Sequence, residues 1–486
     1  MNPPASAAQT ASAAEIRRKH KEFLFPATSN YYDEPIVLAE GKGLRLRDLD
    51  GREYLDFFGG ILTVSVGHAN DEVNAAVKAQ IDRLGHVSTL YPTVPIVELA
   101  EKLASITPGQ LKKCYFTASG TEADETGVMM AQLFTGRSEV IALRHGYSGR
   151  SMLAQSLTAQ SSWRALPTKI PDIKHAVSPY CYRCPFGLTY PSCEVKCARD
   201  IEELIRTTTT GQVAGFLAEP IQGVGGFVTP PREYFQIAVE IVRKYGGVFI
   251  CDEVQTGFGR TGGKWWGCEQ YGIEPEIMTM AKGIANGFPL SATVCTPAIA
   301  DSLQKLTIST FGGNPVSVTA ANATIGVIEK QDLRKNAEVQ GRRLRAGLET
   351  LKAKYPRTIG EVRGMGLMQG VEHVEDETRK DRTPNARATL RLFEETKQRG
   401  LLIGRGGMYG NVLRISPPLN IGKADVDEFA RSPTNRTAKA PTAPRPAPNT
   451  APPANPSRAA RGDPRMSPST TPNARPMPPP ISANVT

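Results

Sequence analysis

The sequence predicts an α/β fold with a mainly parallel sheet, and three observations support this prediction. Short apolar runs around Leu143, Phe216, Phe249 and Met278 are separated by helical or loop segments, the alternation that is typical of a parallel sheet. Charged residues follow directly at the ends of the last three runs, where α/β folds usually bind ligands. After Glu329 the pattern changes to strands around one helix, which predicts a second, smaller α+β domain.

The flanking segments complete the predicted order of elements. Residues 43–57 alternate apolar and polar side chains around an Asp-Gly turn, which predicts a hairpin. Apolar spacing over 71–84 and 95–105 predicts two helices. The predicted organisation is a disordered N-terminal arm (1–22), an N-terminal segment of the small domain (23–75), a large domain (76–328), a C-terminal small domain (329–432) and a disordered tail rich in Pro, Ala and Thr (433–486).

Composition excludes several classes of function. The net charge is +10, but residues 433–486 carry seven Lys or Arg against one Asp, so the body holds about +4. The body has no basic stripe, and we therefore expect no nucleic-acid partner. No apolar run reaches the ~18 residues that a membrane span needs. The N-terminus lacks the apolar core of a secretion signal, and a cytoplasmic location is expected.

Two polar strand ends carry the chemistry. The apolar run that begins at Val248 ends in Asp252 and Glu253, and the run that begins at Met278 ends in Lys282. A carboxylate at a buried strand end can pair with a pyridinium nitrogen, and a lysine can form a Schiff base with an aldehyde. These are the two protein groups that pyridoxal 5'-phosphate requires. Spacing alone is also compatible with a solvated strand end and a helix C-terminus.

The surrounding strings favour the cofactor interpretation. Residues 249–262 (FICDEVQTGFGRTG) and 275–283 (PEIMTMAKG) closely resemble the class III, omega-type aminotransferases. The resemblance implies the fold of type I pyridoxal-phosphate transferases. It also implies that Asp252 pairs with the pyridine nitrogen, Gln255 lies beside the phenolic oxygen and Lys282 carries the cofactor.

A strand followed by a helix at residues 114–123 (CYFTASGTEA) predicts an anion site. Backbone N–H groups at a helix start, together with the hydroxyls of Ser119 and Thr121, suit a phosphate. A plain N-cap is the alternative interpretation. The match to the family's phosphate-binding segment favours the phosphate site and implies that Gly120 is also one of its residues.

Three further residues take roles from the same resemblance. Tyr147 is expected to stack on the cofactor ring, and Glu219 follows a buried run at the edge where the site forms. Thr310 lies in a segment that, in the family, reaches into the neighbouring subunit and contacts the phosphate. The resemblance therefore implies a homodimer whose active sites are shared between subunits.

Arg414 matches the family's carboxylate-binding arginine, and its guanidinium fork suits bidentate capture of an α-carboxylate. Many relatives that act on ω-amines have Glu at the position of Val224, where it can neutralise that arginine. Val224 therefore predicts an alanine-like amino donor and glyoxylate or pyruvate as acceptor, as in the alanine–glyoxylate members. A 4-aminobutyrate or other ω-amino acid aminotransferase is the alternative, and an inactive or unstable cofactor-binding protein is the non-enzymatic one.

Four of the eight cysteines form a cluster at Cys181, Cys184, Cys193 and Cys197. Four thiolates at this spacing could hold zinc or form a redox pair. Reduced cysteines in a loop are the simpler interpretation, and no metal is assigned to the active site.

Overall fold

The computed structural model describes residues 11–28, 30–167 and 169–431. The strands are β1 (Leu38–Lys42), β2 (Arg45–Asp48), β3 (Glu53–Asp56), β4 (Lys113–Thr117), β5 (Val140–Leu143), β6 (Ile173–Ala176), β7 (Gly215–Ala218), β8 (Val248–Asp252), β9 (Ile277–Met280), β10 (Ser291–Cys295), β11 (Ile359–Met365), β12 (Met368–Asp376), β13 (Asp381–Pro384), β14 (Leu401–Leu402), β15 (Gly404–Gly406) and β16 (Val412–Ile415).

The α-helices are α1 (Ala13–Phe23), α2 (Gly59–Leu62), α3 (Asp71–Arg83), α4 (Val94–Ile106), α5 (Gly120–Thr135), α6 (Met152–Leu157), α7 (Lys196–Thr208), α8 (Tyr234–Lys244), α9 (Pro297–Ala300), α10 (Pro315–Lys330), α11 (Leu333–Lys354), α12 (Ala386–Gln398) and α13 (Lys423–Arg431). Short 3₁₀ turns are formed by Ser161–Trp163, Cys181–Arg183, Cys268–Tyr271, Lys282–Ala285 and Glu377–Arg379. No helix within the described ranges has both the length and the apolar character that crossing a bilayer requires.

A seven-stranded sheet with the order β4-β10-β9-β8-β7-β5-β6 forms the centre of the fold. The strands from β9 to β6 run parallel to their neighbours, whereas β10 is antiparallel to both β9 and β4. All residues of β5, β7, β8 and β9 are buried, which explains their continuous apolar runs. The predicted α/β fold with a mainly parallel sheet is confirmed.

Two smaller sheets join distant parts of the chain. One has the order β1-β2-β3-β14 and includes the predicted hairpin, and the other has the order β11-β12-β16-β15, with β13 beside β12. In the first sheet, Leu401 pairs in parallel with Leu55. The N-terminal segment thus shares a sheet with residues more than three hundred positions later, although the domain boundaries drawn from the sequence stay predictions.

The expected disordered arm over residues 1–22 is wrong for the part that the structure describes, because residues 13–23 form α1. Ser12 caps this helix by accepting a hydrogen bond from the Glu15 N–H at 3.2 Å. Ion pairs one turn apart, such as Arg18 with Glu22, support it. Arg17 also donates to the Pro35 carbonyl at 2.7 Å, a contact that no local pattern encodes.

Among the strands predicted after Glu329, residues 359–371 contain a turn that separates β11 from β12, and the two strands form a hairpin. Gly366 has φ +50° in this turn, and a Cβ there would lie 2.5 Å from the Thr261 carbonyl carbon. Only glycine fits so close to another backbone segment. The tail predicted over 433–486 lies outside the described residues.

Candidate active site

A cavity of about 320 Å³ lies at the carboxyl ends of β8 and β9, facing the start of α5. It gathers eight of the residues predicted from the sequence: Ser119, Gly120, Thr121, Tyr147, Glu219, Asp252, Gln255 and Lys282. The volume lies at the small end of the range for ligand pockets, which suits a cofactor of this size.

Asp252 ends β8, and Lys282 follows β9, the neighbouring parallel strand. The Asp252 carboxylate accepts a hydrogen bond from the Val254 N–H at 2.9 Å. Burial raises the pKa of Asp252 to about 6, while that hydrogen bond and the charge of Lys282 oppose the rise. Burial lowers the pKa of Lys282, with the nearby charge of Arg414 acting in the same direction. Near neutral pH the cavity therefore pairs an anionic Asp252 with an amine that releases its proton more readily.

Glu219 anchors the wall of the cavity beside Tyr147. Its two carboxyl oxygens accept from the Tyr147 N–H at 3.1 Å and the Gly223 N–H at 2.7 Å. Burial and the charge of Asp252 raise the pKa of Glu219 to about 8. A Cβ on Gly223 would lie 2.2 Å from Gln255 Oε1, so a larger residue there would displace the Gln255 side chain.

The phosphate end is built on the start of α5. Ser119 is the N-cap, and its hydroxyl donates to Glu122 Oε2 at 2.9 Å while accepting from the Glu122 N–H at 3.3 Å. The capping interpretation is therefore realised. It does not exclude the anion site, because the first N–H groups of the helix, those of Gly120 and Thr121, lack intrahelical acceptors.

These residues fit pyridoxal phosphate. The cavity offers an amine for an aldehyde, a carboxylate for a ring nitrogen and a helix start for a phosphate. Gln255 Oε1 is buried without a hydrogen-bond partner among the described residues, and a polar ligand would satisfy it. When bound, the cofactor supplies an electron sink for the carbanion formed at the substrate's α-carbon.

Two predicted residues do not line this cavity. Arg414, on β16, is 5% exposed and lies close enough to Lys282 to affect its pKa. Thr310 is exposed and borders a separate groove with Tyr115 and Glu125. The structure therefore brings Arg414 near the site but leaves Thr310 outside it within one chain.

The sequence interpretation missed other lining residues, among them Asp124, Thr63 and Phe288. Asp124 lies four residues after Gly120, on the first turns of α5, and that helical spacing was a usable signal. Thr63 and Phe288 come from loops whose approach depends on tertiary packing. No local pattern marks them.

The four clustered cysteines, Cys181, Cys184, Cys193 and Cys197, border one small cavity of about 20 Å³. Among the residues that the structure describes, the group whose metal-ligating atoms lie within 4.8 Å of one another is Cys251, Glu253 and Cys268 instead. Glu253 there is already held by hydrogen bonds from the Gly267 and Cys268 N–H groups at 2.9 and 2.7 Å. Whether the first cluster binds zinc stays a prediction.

Comparisons with known proteins agree with this geometry. The model of the family "Aminotransferase class-III" matches residues 27–432. The chain is 46% identical over 417 residues to alanine–glyoxylate aminotransferase 2 homolog 2, mitochondrial, of Arabidopsis thaliana, covering 86% of each chain. It is 38% identical over 436 residues to the human alanine–glyoxylate aminotransferase 2, mitochondrial, covering 84% of this chain and 83% of the human one.

A solved structure, a thermostable (S)-enantioselective omega-transaminase from Thermomicrobium roseum, superposes with a TM-score of 0.81 at 34% identity. The match covers 87% of this chain and 98% of that one. The family match, the two relatives and the shared fold all agree with the cavity described above. The chain therefore belongs to the class III aminotransferases, which depend on pyridoxal phosphate.

Proposed function

We propose that this aminotransferase moves the amino group of alanine, or of a similar small amino acid, to glyoxylate or pyruvate by a ping-pong reaction. The observation that carries the proposal is the environment of Arg414, which has no carboxylate partner among the described residues. An α-carboxylate of the substrate is the natural partner for such a group.

The Arg414 guanidinium lies between two aromatic rings, 5.0 Å from the centroid of Phe58 and 5.5 Å from that of Phe227. Its Nη1 donates to the Gly223 carbonyl at 3.1 Å, and its Nε is buried without a partner in the described structure. A buried cation with an unused donor is costly unless a ligand pairs with it. A bidentate carboxylate would meet that need.

Val224 lies beside this arginine. Its carbonyl accepts from the Gly407 N–H at 3.0 Å, and a Cβ on the preceding Gly406 would lie 3.0 Å from Arg414 Nε. An apolar side chain at 224 offers no charge to neutralise Arg414. The arginine therefore stays available to an α-carboxylate in both half-reactions.

Lys282 and Asp252 supply the acid–base chemistry of the proposal. Lys282 has a lowered pKa, so its amine can accept the α-proton of the substrate and can donate a proton again later in the reaction. Asp252 would pair with the ring nitrogen of the cofactor and would keep that nitrogen protonated. Asp252 ends β8 and Lys282 follows the adjacent strand β9, so the central sheet positions both residues.

The homodimer belongs to the same proposal. Thr310 is exposed and lies outside the cavity of its own chain, and we propose that it completes the phosphate site of a second copy. Analytical ultracentrifugation would give the mass of the assembly in solution. Thr310→Val should weaken cofactor binding and lower activity, and mixing it with inactive Lys282→Ala chains should raise the activity only if sites are shared. The expected cytoplasmic location also stays a proposal, which cell fractionation would test.

Half-reactions test the substrate proposal. Alanine added to the enzyme should change the visible absorption of the cofactor, and glyoxylate should restore it, whereas 4-aminobutyrate should act far more slowly.

Arg414→Gln should raise KM for alanine by on the order of 100-fold, the scale of a lost charged hydrogen-bond pair. Val224→Glu should shift the preference toward 4-aminobutyrate. A preference for 4-aminobutyrate in the unaltered enzyme would favour the alternative function.

A further inference from the structure

Asp124 is a buried carboxyl group that the chemistry above leaves without a role. It lies on the first turns of α5, is 1% exposed and lines the cofactor cavity. Its Oδ1 accepts a hydrogen bond from the Thr279 hydroxyl at 2.7 Å. Thr279 lies on β9 directly opposite Asp252 on β8, so Thr279 connects α5 to the strand end that carries Asp252.

The carboxyl groups of Asp124 and Asp252 are both buried and line the same cavity, close enough for the charge of Asp252 to raise the pKa of Asp124. Two buried ionised carboxylates at this proximity would repel each other, which favours a proton on one of them. The charged groups that face Asp124 are Asp252 at the end of β8, Glu219 after β7 and Lys282 after β9. Thr279 contributes only a hydroxyl.

The proton belongs on Asp124. Burial and the negative charge of Asp252 raise the pKa of Asp124 well above its ordinary value, although the hydrogen bond from Thr279 and, to a smaller extent, the charge of Lys282 oppose the rise. The pKa of Asp252 rises only to about 6, because the Val254 N–H and Lys282 stabilise its charged form. At neutral pH the pair thus carries one negative charge.

We propose that Asp124 is a positioning residue, a neutral carboxylic acid that donates a hydrogen bond to Asp252 and holds that carboxylate, still anionic, toward the ring nitrogen of the cofactor. The neutral form also keeps a second negative charge out of the cavity. This inference rests on the cofactor site and is independent of the choice of amino acid substrate.

The first test detects the proton itself. Infrared spectroscopy of the holoenzyme, with and without isotope-labelled aspartate, should show a protonated aspartic acid at pH 7.5. The band should disappear in Asp124→Asn and should shift in frequency in Asp252→Asn, because the acceptor of its hydrogen bond has changed. Absence of the band, or its persistence in Asp124→Asn, would overturn the proposal.

The second test separates positioning from packing. Asp124→Ala removes the donor and should weaken pyridoxal phosphate binding to the apoprotein by about tenfold, as loss of a hydrogen bond to a buried charge predicts. Asp124→Asn keeps an N–H donor, and its affinity should stay within about threefold of the unaltered protein. Equal affinities for the two variants would contradict the proposal. Circular dichroism would show that both are folded, and the infrared test on the unaltered enzyme does not depend on either.

Discussion

Two buried groups of charged residues in this protein behave in opposite ways. The cofactor cavity contains Asp124, Glu219 and Asp252, and the pKa of each is raised. Away from it, the Glu372 cluster joins Glu372 to the residues that donate to it or pair with it: Arg363, Arg183, Tyr180 and Asn411. Burial alone would raise the pKa of Glu372, yet Arg363, Tyr180 and Arg183 lower it below its ordinary value.

Pairing explains the difference. Glu372 is fully buried, and both Arg363 Nη1 and Arg183 Nε lie 2.5 Å from its oxygens. The cavity places three carboxyl groups around a single nearby lysine, and Gln255 Oε1 and Arg414 Nε have no partner in the described structure. The charge of Glu372 is balanced by these ion pairs, although Arg183 Nη2 and Arg363 Nη2 are also without a hydrogen-bond partner among the described residues. No ion pair of the described residues balances a carboxyl group of the cavity in this way. Buried charged groups therefore mark a candidate functional site only where ion pairs within the chain do not balance them.

The largest effect is expected at Lys282, and it tests the contrast between the cofactor cavity and the Glu372 cluster most strongly. Lys282→Ala removes the group that we propose carries the cofactor and moves the proton, so turnover should fall by on the order of 1000-fold or more. The unfolding free energy of the apoprotein should stay the same or rise, since a buried amine is removed. Steady-state assays and denaturant titration would measure both. Lys264→Ala, at an exposed lysine, is the control, and a large loss of stability in Lys282→Ala would place the residue with the structural cluster.

Glu372→Gln should show the reverse pattern. It removes the counter-charge of the partly buried Arg183 and leaves the buried Arg363 with Glu361 alone, which should lower the unfolding free energy by about 3 kcal/mol. The visible absorption of the bound cofactor should persist at low temperature. Glu375→Gln changes an exposed residue of the same strand and should have almost no effect. A Glu372→Gln variant with unchanged stability and an altered cofactor spectrum would contradict the distinction between a structural Glu372 cluster and a functional cavity.

The pH dependence of the apoprotein gives a third test. A folded carboxyl group with a raised pKa keeps its proton at pH values where the unfolded chain has released it. The folded state then binds more protons, and its stability falls as pH rises from about 4 toward about 8. Glu372 has a lowered pKa, so its contribution is instead lost on acidification.

Asp252→Asn should flatten the fall in apoprotein stability between pH 4 and 8. The substitution removes one titrating group, and it also removes the charge that raises the pKa of Asp124 and Glu219. Denaturant titrations at several pH values, with cofactor removed, would measure the slopes. Identical slopes in the two proteins would show that the cavity carboxyl groups do not control them.

The smallest effect is at Tyr180, whose hydroxyl donates to Glu372. Tyr180→Phe removes that donor but keeps the ring, over which the Arg363 guanidinium lies at 4.8 Å. The unfolding free energy should fall by about 1 kcal/mol, because two arginines and Asn411 still satisfy the carboxylate. Cofactor affinity should not change. A loss as large as that of Glu372→Gln would mean that the hydroxyl, rather than the arginines, balances the charge.

The central sheet and much of the site were predictable because their signals are local. Asp252 and Lys282 end apolar runs in the sequence, and Ser119 begins a helix with ordinary capping spacing. The contacts that were not predicted involve residues that are far apart in the sequence. The pairing of Asp124 with Asp252 requires α5 to pack on β8 and β9. The first helix gains its contact with Pro35 only after the following loop folds back.

The two-residue strand β14 constrains how the protein is made. Phe57 donates its N–H to the Leu402 carbonyl at 2.7 Å, and Leu55 donates to Gly400 at 2.8 Å. At a synthesis rate of about 5–20 residues per second, roughly 17–70 s separate the two halves of this pairing on the ribosome. For that interval the edge of β3 is open to other strands. Nascent chains paused before residue 400 should therefore be the species that chaperones bind and that aggregates first.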